Sequence, residues 1–290
     1  RDRLRSRGLG DVYKRQTLKI TAFFMKRSFL WSILYFVDRD KGNRPGMDKK
    51  KPEEHSMDYR NYDRGYAEPA MTASDYMART YRWMGVGLLV TFAVAYLTAT
   101  TPLLYVVDSL YLVLTIAELA LVFMLSARVQ NMSVAGARGL FFAYAALNGM
   151  VLSYYFLAFS VSTLVLAFLA TALYFGLTAA YGMTTHRDLT GWGPRLMMAL
   201  VALMVTSLVG ALFGFGFGAT ALYSGIGLVV FMLLTAYDTQ KLQQVYAYYA
   251  GNSELAEKAS IYGALTLYLD FINIFLYVVR LLGVSRSNND

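Results

Sequence analysis

The sequence predicts an all-α integral membrane protein of seven transmembrane helices, with the seventh central and enclosed by the other six. Three observations lead there. Of 290 residues, 57% are hydrophobic and 16% charged, against about 45–50% and about 25% in an ordinary soluble domain. The apolar residues collect into runs close to the roughly 20 that a bilayer crossing needs. Lys and Arg recur in alternate connections between those runs. This balance excludes a disordered chain or a collagen, the absence of Cys excludes a disulfide-stapled module, and a soluble enzyme is disfavoured.

Residues 1–46 hold twelve Lys/Arg and four Asp/Glu, so the whole net charge of +8 sits there; residues 47–290 hold fifteen of each sign. The basic balance therefore carries no expectation of a nucleic-acid partner. Arg1 to Gln16 has no hydrophobic period, and Gly10 to Gln16 looks like translated adapter or upstream sequence. Met25-Lys26-Arg27 followed by Phe29–Val37 imitates a signal peptide, but lacks a small-x-small cleavage site and runs into Asp38-Arg39-Asp40. Residues 1–46 are expected to be a non-native or disordered leader, with the natural start at Met47 or Met57. Residues 47–82 are expected to form a polar cytoplasmic segment, 83–285 the transmembrane domain and 286–290 a short tail.

The first span runs from Met84 to about Ala99, and the second from Leu110 to Ala127, interrupted only by Glu118. Residues 139–183 are too long for one crossing and divide near Ser160–Thr163 into spans three and four. Span five is Leu196–Phe213, span six about Thr220–Tyr237 and span seven Ile261–Leu282. Arg79, Arg82, Arg128, Arg138, Arg187, Arg195, Lys241 and Lys258 all fall in alternate connections, which puts the N-terminus in the cytoplasm. Seven spans then put the C-terminus outside, in conflict with Arg280 and Arg286; either span seven is re-entrant or two late charges do not decide topology, and seven full spans are favoured. Gly214–Gly218 resembles a phosphate loop but follows a span rather than a strand, so it reads as a turn. His55 and His186 both lie in polar segments and support no histidine site. No cofactor is expected.

Ionisable residues inside spans are costly and are functional candidates by default. Glu118, Arg128, Asp238 and Asp270 qualify. In span seven, Thr266, Asp270, Asn273 and Tyr277 recur at helical spacing on one face. A lipid-facing polar stripe is implausible, so this helix reads as central. Two aspartates close together in a poorly solvated site cannot both ionise cheaply and titrate as a coupled unit. Arg128 pairing with the ionised acids would latch the inner end of a pore, and protonation would release it. The same carboxylates with Glu118 are hard oxygen ligands suited to Ca²⁺. A structural polar network pinning helices together is the plainer alternative.

Thr235-Ala236-Tyr237-Asp238-Thr239-Gln240 and Ala264-Leu265-Thr266-Leu267-Tyr268-Leu269-Asp270-Phe271-Ile272-Asn273-Ile274-Phe275 resemble the two C-terminal motifs of the Bax inhibitor-1 family. Ala117-Glu118-Leu119-Ala120, Ser126-Ala127-Arg128 and Asn148-Gly149 fit it too, over about residues 72–285. The resemblance implies seven helices with the last enclosed by six, and in bacterial members a pH-sensitive calcium leak. By resemblance Asp238, Asp270 and Arg128 are the gating residues, Glu118 is a further pore acid, and a bacterial inner membrane is the setting. Asn273 is taken with Glu118 as part of the ion pathway. A connection between spans six and seven as long as Lys241–Ser260 departs from compact relatives and puts the latch geometry in doubt.

Two other classes compete with a channel for Ca²⁺ and protons. A non-transporting regulator of a membrane-bound protease has no motif of its own. An intramembrane aspartyl protease would use Tyr237-Asp238, but its second aspartate belongs in a Gly-x-Gly-Asp motif and here stands in Tyr268-Leu269-Asp270. A non-enzymatic protein is therefore expected.

Overall fold

The computed structural model describes residues 71–213, 220–249 and 251–287. The leader, most of the polar segment with His55, and Gly214–Gly218 lie outside the described residues. Those described form eight α-helices, two 3₁₀ turns and no strand. In order they are α1 (Ala73–Thr100), α2 (Leu103–Ser109), α3 (Tyr111–Arg128), α4 (Val134–Ala158), α5 (Val161–Thr184), α6 (Gly193–Phe213), α7 (Ala221–Tyr249) and α8 (Ser253–Ser287).

Short polar side chains begin these helices, where free backbone N–H groups need acceptors. Thr72 accepts from the N–H of Asp75, Ser133 from Gly136, Ser160 from Thr163, Thr220 from Tyr223 and Asn252 from Leu255. Ser160–Thr163, expected as a turn, is thus the cap and first turn of α5. Asn252 caps α8 after a three-residue link. The long loop expected at Lys241–Ser260 is instead the last turns of α7 and the first turns of α8, held by the buried Leu242 and Ala256 and by the Tyr246 ring on Tyr76.

Among the described residues, five helices, α1, α4, α5, α7 and α8, are long and apolar enough to cross a membrane, and six if the bent pair α2–α3 counts as one span. Exposed apolar residues follow helical spacing. Leu166, Leu169, Leu173 and Leu177 line α5, Met198, Val201, Val205 and Val209 line α6, and Leu222, Ile226, Val229 and Leu233 line α7. Such stripes are unfavourable in water but suit lipid.

Helix α8 is the most buried candidate span, at 78% against 28% for α5. Its extensive helix contacts are with α1, α4, α5 and α7, while α6 leans on α7 and α3 on α4. These four helices form its main wall. Small residues let backbones approach. A Cβ on Gly149 would lie 2.6 Å from the Thr91 carbonyl oxygen, joining α1 to α4.

Contacts also fix helix directions. Thr80 meets Gly263 and Thr91 meets Tyr268, so α1 and α8 run parallel. Gly227 faces Tyr277 and Gly263 faces Leu242, so α7 runs antiparallel to α8. One end of the bundle therefore gathers the starts of α1, α4 and α8, the ends of α5 and α7, and most of the basic residues. Helix α8 is continuous from Ser253 to Ser287 and finishes at the other end of the bundle. Arg280 is no loop charge there but lies among Tyr155, Tyr223 and Tyr277.

Candidate functional site

The two aspartates singled out from the sequence lie on the adjacent helices α7 and α8, and both are buried, Asp238 at 3% and Asp270 at 0% exposure. The antiparallel register places Asp238 level with Thr266–Leu267 and Asp270 level with Leu234–Thr235. At the helical rise, that offset is about one turn, or roughly 5 Å along the axis.

Why α7 is buried around Asp238 follows from its neighbours. All positions from Leu234 to Thr239 are buried, directly after the lipid-facing stripe ends at Leu233. Gly182 of α5 admits the Ala236 backbone, and Gly193 at the start of α6 admits the Tyr237 ring. Gln240 then ties down the connection between α5 and α6. Its Oε1 accepts from the Leu189 N–H at 2.8 Å, and its Nε2 donates to the Arg187 carbonyl at 2.8 Å. In that connection the exposed Asp188 carboxyl is held below its ordinary range, first by the Thr190 side chain and then by the Thr190 N–H at 2.8 Å.

On α8 the polar stripe is buried at Asp270, Asn273 and Tyr277 and half-buried at Thr266. The apolar face is equally hidden, since nearly every position from Ala259 to Val279 is buried. Asn273, expected to line an ion path, donates from Nδ2 to the Leu269 carbonyl at 2.8 Å. Two residues before Asp270, Tyr268 joins three helices. Its hydroxyl is 2.6 Å from Thr91 Oγ1, which lies 2.9 Å from the Ala145 carbonyl and 3.0 Å from the Gly87 carbonyl. Thr91 has one proton to give and carbonyls only accept, so Tyr268 is the donor to Thr91.

Glu118 is buried on α3. Tyr111 meets Tyr154 edge-on, so on the antiparallel α3–α4 pair Glu118 falls near the level of Asn148. The amide of Asn148 donates to the Tyr144 hydroxyl at 3.2 Å. Glu118, Asp238 and Asp270 are not drawn into one ligand set: among the described residues, no group of three or more His, Asp or Glu side chains could hold a metal ion. Arg128, expected beside the aspartates, is exposed at the C-terminal end of α3, where its charge suits the carbonyl end of the helix.

Arg79 and Arg138, which serve in the sequence only as topology markers, pair with the α8 acid Glu257. Glu257 receives Arg138 from α4 in a hydrogen-bonded ion pair and Arg79 from α1 at 3.7 Å. The Arg138 guanidinium also lies over the Trp83 ring, 4.8 Å from its centroid. This cluster binds the starts of the three parallel helices together. Glu257 was hidden in what read as a loop; its membership of a helical start is what brings it to the arginines.

The family described as Inhibitor of apoptosis-promoting Bax1 matches residues 73–288. Over 227 residues the chain is 41% identical to Inner membrane protein YbhL of Escherichia coli (strain K12), covering 76% of this chain and 95% of that protein. A protein of Deinococcus radiodurans, named only as uncharacterized, is 45% identical over 216 residues, which cover 73% of this chain and 91% of that protein. A third relative, from Rickettsia prowazekii and also named as uncharacterized, is 38% identical over 215 residues, covering 73% and 90%.

Proposed function

Because this chain belongs to the Bax inhibitor-1 family of membrane proteins, we propose that it forms a pH-sensitive cation leak pathway that passes Ca²⁺. The gate is the coupled pair Asp238 and Asp270, with Arg128 as its latch and Glu118 and Asn273 along the path. The observation that carries this reading is the burial of two carboxylates on antiparallel neighbours about one helical turn apart. Burial disfavours two adjacent negative charges, so the pair takes up and releases protons as a unit. When both acids ionise, Arg128 swings in to neutralise them and closes the inner end. Protonation releases it, and the exposure of Arg128 fits the released state.

In this reading α1, α3, α4, α5, α6, α7 and α8 are the seven crossings, with α8 central. The basic end faces the cytoplasm under the positive-inside rule, and the bilayer is a bacterial inner membrane, as the name of the Escherichia coli relative supports.

The test is Ca²⁺ flux into proteoliposomes as a function of pH, with wild type, Asp238→Asn and Asp270→Asn side by side. Each substitution is expected to change the pH dependence of flux. An unchanged flux and pH profile in both variants overturns the gate. Absence of flux in the wild type, with a membrane protease co-purifying, would point to the regulatory class instead.

A further inference from the structure

We propose that α2 is an interfacial helix, lying in the membrane–water boundary at the end opposite the basic connections, with the glycerol and upper acyl region of the lipid as its partner. Its axis turns by 80° from that of α3 across a break at Leu110. Helix α3 packs along α4, a candidate span, so an element at 80° to it lies near the bilayer plane. Nor is α2 needed to complete a crossing. The 18 residues of α3 reach about 27 Å at the helical rise, close to the roughly 30 Å hydrocarbon thickness.

The side chains of α2 divide as a surface-lying helix requires. Val107 is buried against the bundle, whereas Leu103, Val106 and above all Tyr105, 78% exposed, project outward. Tyrosine, with an apolar ring and a polar tip, is enriched at this depth of a bilayer. The one charge, Asp108, accepts a hydrogen bond from the Tyr154 hydroxyl of α4 at 3.0 Å and is tied to the protein. Within the hydrocarbon, as part of a broken span, it would be a costly charge. The exposed apolar face is continuous with lipid-facing residues on both sides, Tyr96 and Leu97 of α1 and Leu112, Val113 and Ile116 of α3. No Lys or Arg occurs between Arg82 and Arg128, so the surface fits the neutral lipid boundary rather than anionic headgroups.

The chain has no cysteine, which permits single-site labelling of the otherwise unaltered protein. Leu103→Cys, Tyr105→Cys, Val106→Cys, Leu112→Cys and Ile116→Cys would each carry a nitroxide in phosphatidylcholine vesicles. Immersion depth would be read from relative accessibility to oxygen and to a water-soluble nickel chelate, with His186→Cys as the aqueous reference. The three α2 sites are expected at one shallow depth, while Leu112 and Ile116 differ by about 6 Å, four residues of helical rise. A depth that changes steadily by about 1.5 Å per residue from 103 to 116 would make α2 part of a crossing. Nickel accessibility at 105 equal to that at 186 would place α2 in water. Either result overturns the proposal.

Discussion

Removing the Glu257 carboxylate should loosen the basic end of the bundle by a small, salt-dependent amount. Glu257 is 20% exposed, Arg79 41% and Arg138 37%, so solvent screens both pairs. Each belongs with surface ion pairs worth about 0.2–1 kcal/mol. Glu257→Ala, which breaks both, should cost about 0.5–2 kcal/mol. Arg138→Ala should cost more than Arg79→Ala, because it also loses the contact over Trp83, worth about 0.5–1 kcal/mol at an exposed site. The Arg138–Glu257 coupling, isolated by a double-mutant cycle on unfolding in detergent, should be about 0.5–1 kcal/mol in dilute salt. It should fall by more than half in 1 M salt, where the screening length shrinks from about 10 Å to about 3 Å. A coupling indistinguishable from zero in dilute salt, or one unchanged in 1 M salt, would refute the view that this cluster acts electrostatically.

Gly182→Val should destabilise by about 1–3 kcal/mol through overpacking, because the new side chain meets the Ala236 backbone, which cannot rotate away. As Ala236 lies two residues before Asp238, the pH profile of flux should shift as well; a variant of full thermal stability would contradict the close approach. Gln240→Ala removes both ties to the connection between α5 and α6. Tryptic cleavage after Arg187 should then accelerate about tenfold, for a loss of about 1.4 kcal/mol, and an unchanged rate counts against the clamp. In the same connection, the Asp188 carboxyl is depressed by its bonds to Thr190, so the turn is fully held above the ordinary carboxylate range and lost as pH falls through the lowered value. An NMR titration of the Thr190 amide should report that late transition; a midpoint at or above the ordinary carboxylate range would be the wrong sign.

Much of the helical layout is legible in the sequence because lipid and backbone impose simple local rules. Each expected apolar run coincides with a helix to within a residue or so at its ends, and the position of Ser160 follows from the need to cap an N-terminus. Helix lengths were less legible. Tyr237 looked like the end of span six because hydropathy drops at Asp238-Thr239-Gln240, yet α7 continues to Tyr249. There Tyr246 donates to the Met71 carbonyl at 2.6 Å and packs its ring on Tyr76. Those partners lie about 170 residues away, and no local pattern names them.

The candidate site divides the same way. That Asp238, Asp270 and Glu118 are out of place in or beside apolar runs is a property of the sequence alone, since a carboxylate carried into hydrocarbon is costly before any partner is counted. Which of them meet is tertiary. Gly227 against Tyr277 and Gly263 against Leu242 set the α7–α8 register, and that register alone puts the two aspartates about one turn apart. Arg128 and Glu257 mark the limit most clearly. Arg128 is expected from the sequence at the inner end with the acids and is exposed in the structure, whereas the pairing of Arg138 and Arg79 with Glu257 has no signal in the sequence and comes from packing. Composition and periodicity determined that the chain is helical and membrane-embedded, because burial in lipid acts on each residue separately. Pairing depends on how helices approach, and only the packing of glycines and aromatics between them decided that.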